Sequence, residues 1–304
     1  MQYRTLGSTG LRVSVVGMGT WQFGGAWGKN FEQDEVDAMF GKCREVGINL
    51  IDTAECYADH LSERLIGAAI EGKRDDWVIA TKFGHKAYTD NPDDGWTPKG
   101  VRRQIEDSLK ALRTDYVDLY QFHSAGDKEF DTEGLWDELN KIKAEGKVRH
   151  LGISIGSNDN VYQTDEATVV GAEAIQVVYN RLNKKPEDRV FDLCLRQNLG
   201  VLARVPLASG FLSGKYDRNS TFPENDVRHN RDRQQIAAII EQVEQIRKEE
   251  VPDGVSMASW ALAWCLQHPA VTCVIPGCKS VEQVASNAAA ADLDLVQADH
   301  PQAV

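Results

Sequence analysis

The sequence has no long apolar run, no close pairs of cysteines and no excess of positive charge, and each absence narrows what the protein does. No segment approaches the ~20 apolar residues of a membrane-crossing helix, and the N-terminal MQYRTLGSTG carries no apolar signal core. No membrane association and a cytoplasmic setting are therefore expected. Six cysteines lie scattered at 43, 56, 194, 265, 273 and 278, without the spacing of a zinc site or a disulfide framework. A reducing compartment is the simpler setting, and no metal site is expected. With 34 Lys and Arg against 46 Asp and Glu, the net charge of −12 disfavours a nucleic-acid surface. Finally, VGMGTWQFGGAWG keeps neither the spacing of the Gly-rich dinucleotide fingerprint nor its place at the start of a helix. This argues against a doubly wound open sheet.

What is present is a recurring unit in which a helical stripe meets a glycine stop and then a short apolar, β-branched run. The clearest joints are EVGINLID, AEGKVRHLGIS and QNLGVLARVPL, whose glycines Gly47, Gly146 and Gly200 suit the left-handed end of a helix. Stripes such as Val101, Ile105 and Leu109, behind Thr97 and Pro98 as N-cap and first helical residue, mark the helices. Strands are expected near 16–20, 48–52, 77–82, 117–122, 149–154, 174–179, 200–205 and 271–275. Eight strands, mostly separated by room for a crossover helix, predict an α/β fold, a (β/α)8 TIM barrel. The 304 residues contain no dividing linker and read as one domain. YRTLGSTGLRVSVVG adds an N-terminal β-hairpin that plugs the barrel floor, and an extra helix near 232–249 precedes the last units. Two long polar loops, 84–96 and 209–233, are candidates for function.

In a barrel the chemistry gathers where the strands end. Here the strands end in Asp52, Lys82, His123 and Ser154, and the sixth contains Gln176, with Tyr57 just beyond Asp52. Any one of these is ordinary for a strand end; four useful groups on independent strands are less so. An acid, a lysine, a tyrosine and a histidine together can polarise a carbonyl. A phenol titrates near ~10, a neighbouring ammonium from Lys82 favours its phenolate, and Asp52 keeps Lys82 charged. His123 would orient the substrate oxygen. The set supplies no activated nucleophile and no metal-ligand spacing.

NLIDTAECY with the following SERLIG, ATKFG and QFH resemble the motifs of the aldo-keto reductase family, and the likeness runs over nearly the whole chain. The resemblance implies that Asp52, Tyr57, Lys82 and His123 are the family's catalytic tetrad. It also implies NADPH, bound across the barrel mouth without a dinucleotide-binding domain, and a small-molecule carbonyl substrate. By matching, Gly19, Thr20 and Trp21 border the cofactor, and Ser154 and Gln176 hold its carboxamide. Leu207, Ser209, Gly210 and Leu212 line the pyrophosphate; Lys279 and Ser280 meet the adenosine phosphate, beside amides opening a helix; and Gln283 and Asn287 lie near adenine. Two positions depart from the pattern. Ile155 stands where many relatives have asparagine, and Arg204 stands where an aromatic residue often stacks on the nicotinamide, which a guanidinium plane also does. The chain ends soon after its last helix, which implies an open, permissive pocket. Trp21, Trp27, Tyr88 and Trp96 are loop aromatics that could line it. Two alternatives are an NADP(H)-binding regulatory subunit with little turnover, and an unrelated barrel hydrolase or isomerase using His123 and Asp52.

Overall fold

The computed structural model describes residues 1–304, the side chain of Pro92 excepted. Two short strands, β1 (Tyr3–Thr5) and β2 (Arg12–Ser14), pair antiparallel around a turn at Gly7–Thr9. Eight parallel strands follow: β3 (Met18–Gly19), β4 (Leu50–Asp52), β5 (Val78–Phe83), β6 (Val117–His123), β7 (Val148–Ser154), β8 (Ala172–Val178), β9 (Gly200–Arg204) and β10 (Cys273–Val274). Each pairs with its sequence neighbour, and the sheet closes through bridges from Val16 to Val274 and from Gly19 to Gly277. This is the expected (β/α)8 barrel with its hairpin.

The outer helices are α1 (Gln33–Val46), α2 (Leu61–Ala69), α3 (Pro98–Leu112), α4 (Asp127–Phe130), α5 (Leu135–Ala144), α6 (Val161–Asp165), α7 (Val190–Gln197), α8 (Arg233–Glu250), α9 (Met257–Leu266) and α10 (Val281–Ala288). α8 is the extra helix, capped by Asp232, whose carboxylate accepts from the amides of Gln234 and Gln235. Thr97 caps α3 with Pro98 in its first turn, as its sequence predicts. Among the described residues, no helix is long and apolar enough to cross a membrane.

One expected helix stop is corrected. Gly47 and Gly146 do take the left-handed conformation, but α7 ends on Asn198, with φ 53°, and Gly200 lies inside β9. Gly200 is needed for space instead: a Cβ there would stand 2.5 Å from Leu6 Cδ1 of the hairpin turn.

The barrel interior is layered. Leu6 and Val13 of the hairpin are fully buried with Leu50, Ala80, Leu119, Ala174, Leu202 and Cys273, one from each of six strands, and this apolar layer fills the floor. Side chains two apart along a strand share a face. Two residues on from five of these stand Asp52, Lys82, Gln121, Gln176 and Arg204. One step toward the mouth therefore turns the interior from apolar to polar.

Candidate active site

Lys82 is 1 % and Asp52 3 % exposed. The Lys82 ammonium donates to Asp52 Oδ2 at 2.7 Å, to the Thr53 carbonyl at 2.7 Å and to Tyr57 Oη at 3.3 Å. The other oxygen, Asp52 Oδ1, accepts from Gln176 Nε2 at 2.7 Å and Gln121 Nε2 at 3.2 Å. Burial opposes the charged lysine, but Asp52 and the phenol more than offset it and its pKa lies above the ordinary value. The carboxylate thus has donors on both oxygens, which a buried charge requires.

Tyr57 reaches this cluster from a loop. Its amide donates to the Ala54 carbonyl at 3.2 Å, and Ala58, Asp59 and His60 all follow with positive φ. Three consecutive non-glycine residues in that region are strained, at about 1–3 kcal/mol each, and such strain clusters at functional sites. The turn is anchored by His60 Nδ1 to Glu63 Oε2 at 2.5 Å and by Thr81 Oγ1 to Glu63 Oε1 at 2.6 Å, all buried. Burial raises the Tyr57 phenol to about 12, with Lys82 pulling the other way. Lys82 thus acts on the phenol in the expected direction, without making the phenolate the favoured form. Desolvation wins, and Tyr57 is a protonated donor at neutral pH.

His123 closes the group, its ring 6.3 Å from that of Tyr57 and 4.6 Å from that of His85. Burial, followed by the charge of Lys82, holds its pKa well below the usual histidine value, so it is a neutral imidazole. Such a ring can give one hydrogen bond without carrying charge.

These groups open on a cavity of about 560 Å³. Among the residues matched above, Gly19, Thr20, Trp21, Gln176, Arg204, Leu207, Ser209, Gly210, Lys279, Gln283 and Asn287 border it, as do Asp52, Tyr57 and His123. Ser154, Leu212 and Ser280 do not. Ser154 is buried with its Oγ 3.3 Å from Ser124 Oγ. Leu212 packs with Phe211, Ile240 and Trp260 under α8 and α9. Ser280 caps α10 by accepting from the Gln283 amide. The Lys279 amide likewise donates to Gln283 Oε1 at 2.8 Å. The expected open row of amides at that helix start is thus partly taken.

Trp21 lies across the cavity with its ring 6.2 Å from that of Tyr57 in a stacked orientation, and Trp27 also borders it. Tyr88 and Trp96 do not: Tyr88 donates to Asp107 and Trp96 packs on Phe122. Arg204 donates to the Ile155 carbonyl at 3.3 Å and leaves its buried Nε without a partner.

The sequence reading missed two parts of the site. One is Gln121, although Leu119, Gln121 and His123 alternate on one face of β6 and that period was the signal. The other is Asp226 with Arg228. Arg228 grips Asp226 by Nε at 2.8 Å and Nη2 at 2.6 Å, and its Nη1 donates to the Ser209 carbonyl at 3.0 Å and Tyr216 Oη at 2.8 Å. Lys279 Nζ stands 3.9 Å from Asp226 Oδ2 and donates to the Trp27 carbonyl. The long loop is tied to the other wall, with the Val227 amide on the Ala26 carbonyl at 2.9 Å and the Gly28 amide on the Asn225 carbonyl at 3.3 Å.

A family-wide sequence profile described as Aldo/keto reductase family matches residues 15–303. The chain belongs to the aldo/keto reductase family. It is 30% identical, over 96% of its length and 92% of the relative's, to a probable voltage-gated potassium channel subunit beta from Oryza sativa subsp. japonica. It is 28% identical to the NADH-specific methylglyoxal reductase of Escherichia coli, over 97% and 94% of the two chains. Among solved structures, it resembles the holo form of an aldo-keto reductase from Bacillus halodurans, with a TM-score of 0.79 and 27% identity over 99% and 94% of the chains. It also resembles a glycerol dehydrogenase from Gluconobacter oxydans, with a TM-score of 0.81 and 27% identity over 99% and 96%. The chain is thus an oxidoreductase-family barrel.

Proposed function

We propose that this aldo/keto reductase transfers a hydride between NADP(H) and a small carbonyl or alcohol, with Asp52, Tyr57, Lys82 and His123 as its working residues. One contact carries the reading: a buried ammonium, held by Asp52, lies 3.3 Å from the hydroxyl of Tyr57 at a cavity wall. Reduced nicotinamide bound in that cavity would supply the hydride. Tyr57 hands its proton to the carbonyl oxygen, and Lys82 stabilises the phenolate left behind. Neutral His123 donates a hydrogen bond that fixes the same oxygen.

The residues present fit such a cofactor. Trp21, Gln176 and the unpartnered Arg204 Nε border the end near Tyr57, and Lys279, Arg228 and Lys215 border the other, a cationic end suited to a phosphate. In a chain of net charge −12, a 2′-phosphate needs such local cations. This favours NADPH over NADH, although the E. coli relative is NADH-specific by name. We further read residues 1–304 as one cytoplasmic domain with small-molecule substrates and no nucleic-acid or membrane partner.

The likeness to a potassium channel subunit beta favours a second reading, an NADP(H)-binding regulatory subunit with little turnover. Fluorescence titration with NADPH and NADH, followed by a panel of aldehydes, ketones and sugars monitored by NADPH oxidation, separates the two. Turnover supports the reductase, tight NADPH binding without turnover supports the regulator, and no nucleotide binding overturns both.

A further inference from the structure

Of six cysteines, five are buried and only Cys56 is exposed. It precedes Tyr57 and borders the cavity. Its Sγ lies 3.7 Å from Nδ1 of His123. A carboxylate oxygen of Glu55 joins them, the three ligand atoms all within 4.8 Å of one another. Glu55 is fully buried, with Oε1 accepting from the His85 amide at 2.9 Å and Oε2 without any partner. Buried carboxylate oxygens are normally satisfied, and one that is not lacks a donor or a cation.

We propose that Glu55, Cys56 and His123 form a binding site for a thiophilic divalent cation of the zinc class, set in the cavity wall beside Tyr57. With Zn–S near 2.3 Å and Zn–N near 2.0–2.1 Å, the edge of a tetrahedral site joining sulfur and nitrogen is about 3.6 Å. The observed 3.7 Å between Cys56 and His123 is nearly that edge already, and a modest inward movement of the Glu55 carboxylate supplies the third ligand. One sulfur, one imidazole and one carboxylate suit zinc, whereas calcium and magnesium demand more oxygens. Three protein ligands leave the fourth position open toward the cavity. On coordination the Cys56 thiol, and the Glu55 carboxyl where burial has kept it protonated, release their protons to solvent as the sulfur–metal and oxygen–metal bonds form, and no electron changes hands.

Burial and surrounding charge set the strength. Burial is the largest influence on both Cys56 and His123; beyond it, the Lys82 ammonium acts on both, Glu55 and Glu63 act on Cys56, and His85 and the Arg204 guanidinium act on His123. The cations oppose the metal, so the site is weaker than a closed structural zinc centre and is filled and emptied with metal supply. A bound ion occupies His123 and stands beside Tyr57. Given the proposed reaction, it excludes the carbonyl substrate and makes the metal an inhibitor.

The test uses the reduced full-length chain without nucleotide. Titration with Co²⁺ is expected to give thiolate-to-cobalt charge-transfer absorption that Zn²⁺ displaces, and Cys56→Ala is expected to abolish it. Loss of a neighbour that merely orients a ligand costs about 10–100-fold in metal affinity, so Glu55→Gln should weaken Zn²⁺ at least about tenfold by calorimetry. Should Glu55→Gln fail to fold, Cys56→Ser at the exposed position replaces it, with the same weakening expected. A charge-transfer band that survives in Cys56→Ala, or Zn²⁺ affinity unchanged in these variants, overturns the site. Zn²⁺ inhibition competitive with the carbonyl and lost in Cys56→Ala supports it. Cobalt bound through Cys56 in a chain that reduces no carbonyl leaves the site standing and sinks the reductase reading.

Discussion

The two ends of the barrel hold buried cations in opposite ways. At the floor, Arg4 is buried and gives its guanidinium to two backbone carbonyls, Val271 at 2.7 Å and Leu266 at 3.0 Å. Burial lowers it to about 10. At the mouth, Lys82 sits between a carboxylate and a phenol, and burial is overcome by Asp52. The floor cation ties chain to chain, since its partners lie at the end of α9 and just before β10. The mouth cation tunes a group that faces open space. Four of the nine unpartnered buried polar atoms among the described residues lie at this end, at Gln22 Oε1, Trp27 Nε1, Glu55 Oε2 and Arg204 Nε. The difference teaches that one strand pattern serves stability and function two residues apart, with Leu50 and Ala80 filling the floor and Asp52 and Lys82 serving the mouth.

Variants at both ends sharpen or break that contrast. The largest effect is expected from Tyr57→Phe, which keeps the ring and removes the proton. Turnover should fall by ~10²–10⁴ while melting temperature and NADPH affinity hold, and near-normal kcat would remove Tyr57 from the chemistry. Lys82→Met strands Asp52 in the interior, so urea unfolding should show a loss of ~3–5 kcal/mol. Alcohol oxidation, which needs the phenolate, should lose its rise toward alkaline pH; an unaltered pH profile would make the cluster structural. Arg4→Met is the floor counterpart, with about 1–3 kcal/mol of stability lost for each carbonyl left without its donor and kcat/KM unchanged where the variant is folded.

Smaller effects are expected at the groove and the chain ends. Lys279→Ala should weaken NADPH by about 1.5–3 kcal/mol, the range of a charge-assisted hydrogen bond, and barely affect NADH. Dissociation constants at fixed ionic strength check this, and equal losses for both cofactors would take Lys279 away from the 2′-phosphate. At the floor, His300 Nε2 donates to the His268 carbonyl at 3.3 Å and Nδ1 accepts from the Gln302 amide at 3.1 Å, so the ring is held neutral. Burial, then Arg4, depresses it to about 4 from 6.5. Below pH 6.5 the unfolded chain then binds the extra proton, so stability falls as pH drops from 6.5 toward 4 and is flat above. His300→Gln should reduce that acid-side loss, after solvent screening by no more than about 1–2 kcal/mol. Thermal melts at pH 7 and pH 5 read the difference; an unchanged gap would assign it to other groups.

How much of this was legible follows from the range of each interaction. Strands, the hairpin and α8 are set by local periodicity and stops, which the sequence carries openly. Asp52, Lys82 and His123 were visible because each interrupts an apolar run. Gln121 was missed because the strand was read for where it ends, and its alternation was passed over. Asp226 and Arg228 were missed because the 209–233 stretch has no period; its order comes from an ion pair and from hydrogen bonds to Ala26 and Gly28 far away in the chain. Gly200 was misread because a glycine after a helix signals a cap locally, whereas here it makes room for Leu6. The balance at Tyr57 needed burial, which neighbouring residue types do not report.

The seam of the barrel has a consequence in time. Closure depends on Val16 and Gly19 meeting Val274 and Gly277, and the floor depends on Arg4 reaching Val271 and on Tyr3 accepting from the Val304 amide. Every one of these pairings joins residues 3–19 to residues 271–304, far apart along the chain. Contacts so distant along a chain are slow to form, and a nascent chain meets them only after residues 271–304 have been made. Until then β3 and its hairpin wait with unpaired edges. Residues 3–19 would therefore be made long before they find their place.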